Sequence, residues 1–302
     1  MRDQLCDALV ARSSDPKMVF MTGDLGYKAL EPLREAMGDR FINAGVAEQN
    51  MITAAAAMAS QGLELWVYSI APFIYARPFE QIRNDVCFNN LPVKLIGNGG
   101  GYGYGVMGPT HHAIDDYGSL LTLPDLTVVI PAFTEDVVAS VTFAAELPNP
   151  CYLRLGRGEA PTGWIPPAFE PWRQLTFGDG PVVIGVGPLT GTYLADFDAM
   201  PSTNRPNLWV AGALPIDLFP VPTELLEQLE RTGNLIVAEE HVGQGSVAAQ
   251  ILLHFARSGI TTAKFAHLRA LAHNFGTYGS QNYLRKLSSL DPASMLQTLG
   301  TF

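Results

Sequence analysis

Residues 65–97, LWVYSIAPFIYARPFEQIRNDVCFNNLPVKLIG, read as a strand, a helical crossover and a second strand. The outer segments, LWVYS (65–69) and VKLIG (93–97), are short apolar runs of the kind buried on both faces of a parallel sheet. Between them Pro78 opens a helix that sets Phe79, Ile82 and Val86 on one face, the crossover that a parallel pair needs. The pattern extends both ways. MVFMT (18–22) precedes it, while LTVVI (126–130) and CYLRL (151–155) follow. Helices are expected after Asn50 and after Thr134, where Glu135 and Asp136 suit a first turn. This alternation predicts an α/β domain over 1–160, with helices covering a parallel sheet. Residues 158–181 are rich in proline and glycine without periodicity, and 161–175 are expected to be a linker. A second, smaller α/β domain over 176–302 follows from strands at 182–187, 208–211 and 234–238 and helices near 222–231 and 245–257.

The 302 residues are 47% hydrophobic and 16% charged, enough apolar material for two cores and too little charge for a disordered chain. A net charge of -10, with no Lys/Arg cluster, gives a phosphate backbone nothing to bind and argues against nucleic acid as a partner. Cys6, Cys87 and Cys151 are widely spaced and odd in number, which fits buried reduced thiols better than disulfides or a zinc site. MRDQLCDALVARSSD is too acidic for a signal peptide and no apolar run reaches membrane-spanning length, so the expected location is the cytoplasm, away from the membrane.

Two motifs imitate cofactor sites. The stretch 97–108, GNGGGYGYGVMG, has seven glycines in twelve residues, and 103–108 formally fits GxGxxG. A dinucleotide fingerprint turns from a strand straight into a helix and is followed by an acid that ends the next strand. Here Pro109 follows the glycines and Asp125 precedes the next strand, so what survives is the reason for glycine itself: close approach to the backbone. Gly178-Asp179-Gly180 with Asn204 downstream resembles GDG…N, a pattern that holds magnesium and diphosphate. A metal-binding Asp belongs at the carboxyl end of a strand, whereas the strand at 182–186 comes after this triplet.

Six collinear stretches carry more weight: GDL (23–25), NAGVAEQNM (43–51), YSIAPFIYARPFEQIRNDV (68–86), GPTHHAIDD (108–116), YLRLGRG (152–158) and VAEEHVGQGS (237–246). In this order they resemble the transketolase family from Met1 to about Gly259. Because the sequence opens directly on MRDQL, the resemblance is closest to stand-alone C-terminal subunits of split enzymes. It implies a pyrimidine-binding domain, a C-terminal domain that supports the dimer, and thiamine diphosphate with Mg²⁺ as cofactors. A partner subunit would carry GDG…N and hold the metal and diphosphate, in an α2β2 assembly.

The resemblance also implies roles for single residues. Glu48, in GVAEQN, would hydrogen-bond N1′ of the aminopyrimidine, and a buried carboxyl there suits proton sharing. Phe73 would stack on that ring, with Tyr75 and Arg77 nearby. Asp24 and Leu25 match a strand-end pair that touches the cofactor near the subunit interface. His111, in GPTH, would contact the bound sugar, where imidazole both donates to a hydroxyl and shuttles a proton. Arg2 and Arg157 match arginines that bind the sugar phosphate, for which a guanidinium fork is suited. In the second domain, Glu239-Glu240-His241 matches an EEH signature and reads as packing and subunit contact.

Three positions depart from the family. An Asp expected four residues before the GPTH histidine is Met107, and a His expected twelve residues before it is Gly99. Lys28 stands where the family has a small serine after Asp-Leu, and would replace the lost phosphate contact. Losing a carboxylate that reads a hydroxyl should shift donor choice, since directional polar contacts carry most substrate discrimination. The expected activity is transfer of a two-carbon ketol or acyl unit from a ketose phosphate. A 1-deoxyxylulose 5-phosphate synthase-like subunit, a 2-oxoacid dehydrogenase β-like subunit and a non-catalytic scaffold that retained the fold are the alternatives.

Overall fold

A computed structural model describes residues 1–26, 28–273 and 276–302. Its strands in chain order are β1 (Met18–Thr22), β2 (Phe41–Asn43), β3 (Glu64–Ile70), β4 (Lys94–Asn98), β5 (Thr127–Val129), β6 (Cys151–Leu155), β7 (Trp172–Gln174), β8 (Val182–Val186), β9 (Asn207–Ala211), β10 (Ala213–Leu214), β11 (Asn234–Glu239) and β12 (Lys264–Arg269). The first sheet runs β10-β5-β6-β4-β3-β1-β2, and the second runs β12-β11-β8-β9-β7. Every neighbouring pair is parallel except β10 with β5 and β7 with β9, each an antiparallel strand added at an edge. The two-domain α/β architecture expected from the alternation is therefore present.

The apolar runs become strands because sheet and helices bury both of their faces: β1, β6 and β8 have no exposed position. The first crossover helix begins at Glu48 and runs to Ala59, earlier than Asn50, and buries Met51, Ile52, Ala55 and Ala56. Beyond Pro78 the chain makes a short α-turn, Phe79–Gln81, and then a π-helix, Ile82–Cys87, with Ile82 and Val86 fully buried as the spacing requires.

The linker expectation for 161–175 needs correction at its end. Residues 172–174 form β7, an edge strand of the second sheet, because Trp172, Arg173 and Gln174 pair in register with Ala211, Val210 and Trp209. The second half returns the exchange, since Ala213 and Leu214 pair with Val129 and Val128 and extend the first sheet. A buried ion pair joins the same region. Arg173 grips Asp136 through both terminal nitrogens, Nη1 at 2.8 Å from Oδ1. Among the described residues, no helix is long and apolar enough to cross a membrane.

Candidate active site

In open α/β sheets ligands collect beyond the carboxyl ends of the strands. There the parallel register of β1 with β3 and of β3 with β4 brings the segments after Thr22, Ile70 and Asn98 to one edge. Those segments carry most of the residues singled out from sequence. Glu48 is the first residue of its helix, where free backbone N–H groups and the helix dipole favour a carboxylate. Its side chain is 7% exposed, and Arg77 Nη1 donates to its Oε1 at 2.8 Å.

The Arg77 guanidinium also lies 3.9 Å from the centre of the Phe73 ring. A flat cation thus rests on the aromatic face and donates to Glu48 at the same time. Phe73 then meets the edge of His111, with ring centres 5.1 Å apart at 66°. Glu48, Arg77, Phe73 and His111 form one contiguous cluster. Glu48 is accordingly a buried carboxyl held in an ion pair.

Burial and, to a smaller degree, the positive charge of Arg77 hold the His111 imidazolium below the ordinary histidine value of 6.5. Both causes disfavour the charged ring, so His111 is neutral at pH 7 and accepts a proton only in more acid solution. An NMR titration of its ring protons should give a midpoint below 6.5 that moves upward in Arg77→Met. A midpoint at or above 6.5 in the native chain would contradict this electrostatic picture.

A cavity of about 300 Å³ is lined by Arg2, Asn98, Gly99, Tyr104, Gly156 and Arg157 among others. The two arginines expected to hold a phosphate are therefore brought together from opposite ends of the first domain. Asn98 and Tyr104 have no part in the sequence expectations, yet they face the same space. Gly99 has a φ of 79°, and a Cβ on it would run into the Tyr104 ring, so that ring fills the place that a side chain at 99 would take. Asn98 Nδ2 donates to the Tyr104 oxygen at 2.6 Å, which leaves the phenol proton for another acceptor. Tyr104 also lies 6.4 Å, centre to centre, from His111, so its ring borders both this cavity and the cluster. The one sequence signal for it was the glycine twelve residues before His111.

Other residues fall elsewhere. Asp24 and Leu25 line a separate cavity of about 210 Å³ with Thr22, Glu31, Arg34, Phe41 and Asn43. Asp24 Oδ1 accepts from Asn43 Nδ2 at 3.2 Å, and the Asp24 N–H donates at 3.3 Å to the carbonyl of Gly45, three residues before Glu48. Lys28 is not brought to the Arg2 and Arg157 cavity: its backbone has a φ of 63° and its N–H donates to Glu31 Oε1 at 2.7 Å. Tyr75, expected near the ring on which Phe73 would stack, is engaged elsewhere as well. It is buried, its hydroxyl donates to Asp115, and burial followed by the nearby carboxylates pushes its phenol well above the usual range. Met107 stays at the surface, 53% exposed, one residue before the GPTH turn. His112 is buried, with Nε2 3.3 Å from the Gly105 carbonyl. Asp179 sits before β8 and faces Arg231 at 3.8 Å, at the amino rather than the carboxyl end of that strand.

Residues 7–162 match the family described as transketolase, pyrimidine binding domain. The chain is 28% identical over 244 residues to one of the subunits of the apulose-4-phosphate transketolase of Phocaeicola vulgatus, covering 79% of this chain and 77% of that one. It is 30% identical over 270 residues to 1-deoxy-D-xylulose-5-phosphate synthase of Desulfotalea psychrophila, covering 86% of this chain but 41% of the synthase. The chain thus spans less than half of that relative. Among solved structures, a split-gene transketolase in an inactive β4 tetramer superposes with a TM-score of 0.82 at 26% identity, over 99% of this chain and 97% of that one. Transketolase from Leishmania mexicana superposes with a TM-score of 0.77 at 17% identity and shares the fold, over 98% of this chain and 44% of its own.

Proposed function

The chain belongs to the transketolase pyrimidine-binding family, and on that premise we propose that it is the β-type subunit of a heteromeric, thiamine diphosphate-dependent transferase. The observation that carries this reading is the seat of Arg77. A flat cationic N–H donor stacked on Phe73 and bonded to Glu48 has the shape and hydrogen-bonding pattern of a protonated aminopyrimidine, so the pair fits that group. When bound, thiamine diphosphate supplies the electron sink needed to cleave a carbon–carbon bond in a ketose.

This chain's residues then divide the remaining work. Glu48 holds or releases a proton at its carboxylate toward the pyrimidine nitrogen, and Phe73 orients the ring. Arg77, 45% exposed, has room to swing aside when the ring takes its place. The neutral His111 imidazole takes a proton from a donor hydroxyl or returns one. Arg2 and Arg157 receive the phosphate end, with Tyr104 offering one further O–H. Magnesium and the diphosphate belong to a partner subunit in this reading, and the resemblance to two chains of split enzymes supports it.

The donor is expected to be a ketose phosphate other than xylulose 5-phosphate, because Met107 supplies a flexible thioether where a carboxylate would read a hydroxyl. The assembled enzyme tests this through kcat/KM for xylulose 5-phosphate and for a branched pentulose phosphate. Met107→Asp should raise the ratio in favour of xylulose 5-phosphate by roughly tenfold, the scale of a single polar contact. Efficient use of xylulose 5-phosphate by the native enzyme, unimproved by Met107→Asp, would assign that discrimination to another residue.

A further inference from the structure

The glycine-rich loop at 97–108 is shaped by side chains that arrive from the second domain. Glu240, immediately after β11, is buried, and its Oε2 accepts the Tyr102 N–H at 2.9 Å. Gln281 Nε2 donates to the same carboxylate at 3.2 and 3.1 Å, and Arg285 Nε donates to its Oε1. Gly101 has a φ of 64°, and a Cβ there would collide with this carboxylate. At Gly105 a Cβ would fall 2.6 Å from the Gly279 carbonyl oxygen and 2.9 Å from Leu284, and at Gly108 it would strike Tyr278.

The first domain presses from below. A Cβ on Gly100 would lie 2.6 Å from Arg154 Nε, whose Nη2 donates to the carbonyls of Ala113 at 2.9 Å and Glu240 at 3.1 Å. Gly101 and Ala113 bond to each other in both directions at 2.8 and 2.9 Å and close the loop. The glycines therefore mark where the protein's own side chains meet the backbone. Tyr104 and His111 both project from this closed segment. A second link from the same domain runs through His273, whose Nε2 lies 3.4 Å from Asp115, the acceptor of the Tyr75 hydroxyl.

We propose that Glu240 is a positioning residue of the active site: from the second domain, its carboxylate sets the loop that places Tyr104 and His111 against the donor. The kinetic arm of the test rests on the function proposed above, whereas the exchange arm does not. Removing Glu240 alone would strand the buried Arg285 charge and risk unfolding, so two neutral pairs are compared. Glu240→Gln with Arg285→Met keeps an oxygen for the Tyr102 N–H, and Glu240→Leu with Arg285→Met does not. Hydrogen exchange on the full chain should be about tenfold faster over 99–105 in the Leu pair than in the Gln pair, with β1 and β3 unchanged. In the assembled enzyme the Leu pair should raise donor KM about tenfold over the Gln pair, with kcat and thiamine diphosphate affinity within about threefold. Equal exchange in the two pairs, or exchange that rises throughout the chain, would overturn the proposal. So would a change confined to kcat or cofactor affinity. If no ketose is turned over, the exchange comparison alone decides, and the failure then belongs to the functional reading.

Discussion

Glu48→Gln in the assembled enzyme is expected to fold normally and to lose about 10²-fold or more in kcat, the scale of a positioned acid–base group. The substitution keeps volume and an oxygen for Arg77, and removes only the ability to carry a charge and exchange a proton. Loss of stability does not compete as an explanation. The partner in the ion pair, Arg77, is 45% exposed, and pairs with that much solvent contribute about 0–1 kcal/mol. The check is kcat for the reconstituted enzyme beside thermal unfolding of the variant chain. Turnover within about threefold of the native enzyme would remove Glu48 from its role.

Asp136→Ala is expected to cost about 3–5 kcal/mol, because it leaves a guanidinium buried without its counter-charge. Asp136 is 2% and Arg173 4% exposed, and the carboxylate also accepts the N–H groups of Ala132 and Phe133, each at 2.9 Å. Four donors converge on one side chain that joins the first domain to β7 of the second sheet. Arg12 and Glu64 make a similar contact at 2.9 Å but are 33% and 21% exposed, so breaking that pair should cost no more than about 1 kcal/mol. Urea unfolding of both variants separates the cases through the midpoint at constant slope. A loss below about 1 kcal/mol for Asp136→Ala would mean that water or a rearranged side chain reaches Arg173.

The central strands were legible because their apolar runs need only local burial, even where a charge interrupts them. Lys94 in β4 and Arg154 in β6 are both buried, and each is satisfied by partners that no local pattern shows. Lys94 Nζ donates to the carbonyls of Leu147 and Asn149 at 2.6 and 3.2 Å, while Arg154 Nε donates to Asp116 at 2.7 Å. β10 went unseen for a related reason. It is two residues long and exists through its pairing with β5, a contact set by tertiary packing. β12 is half-buried rather than fully buried, so its sequence, KFAHLR, lacks the continuous apolar signal of the inner strands.

The site divides in the same way. Glu48, Phe73, Arg77 and His111 could be named because they sit in compact stretches, although their mutual contacts depend on the parallel register. The glycine loop could be recognised by composition but not explained, since Glu240 lies 138 positions from the Tyr102 N–H that it accepts. Tyr104 was hidden more completely. Its place in the cavity follows from the room that Gly99 leaves, which appears only once the loop has closed.

Calorimetric titration of thiamine diphosphate with Mg²⁺, into this chain alone and into its mixture with a diphosphate-binding transketolase subunit, separates a site completed by two subunits from one held by this chain by itself. Binding to the chain alone should be no tighter than millimolar, about 4 kcal/mol, and binding to the mixture micromolar or tighter, about 8 kcal/mol. The second value should weaken in Glu48→Gln. Micromolar binding by this chain without a partner, or a mixture that binds no better than its parts, would contradict a shared site completed by two subunits.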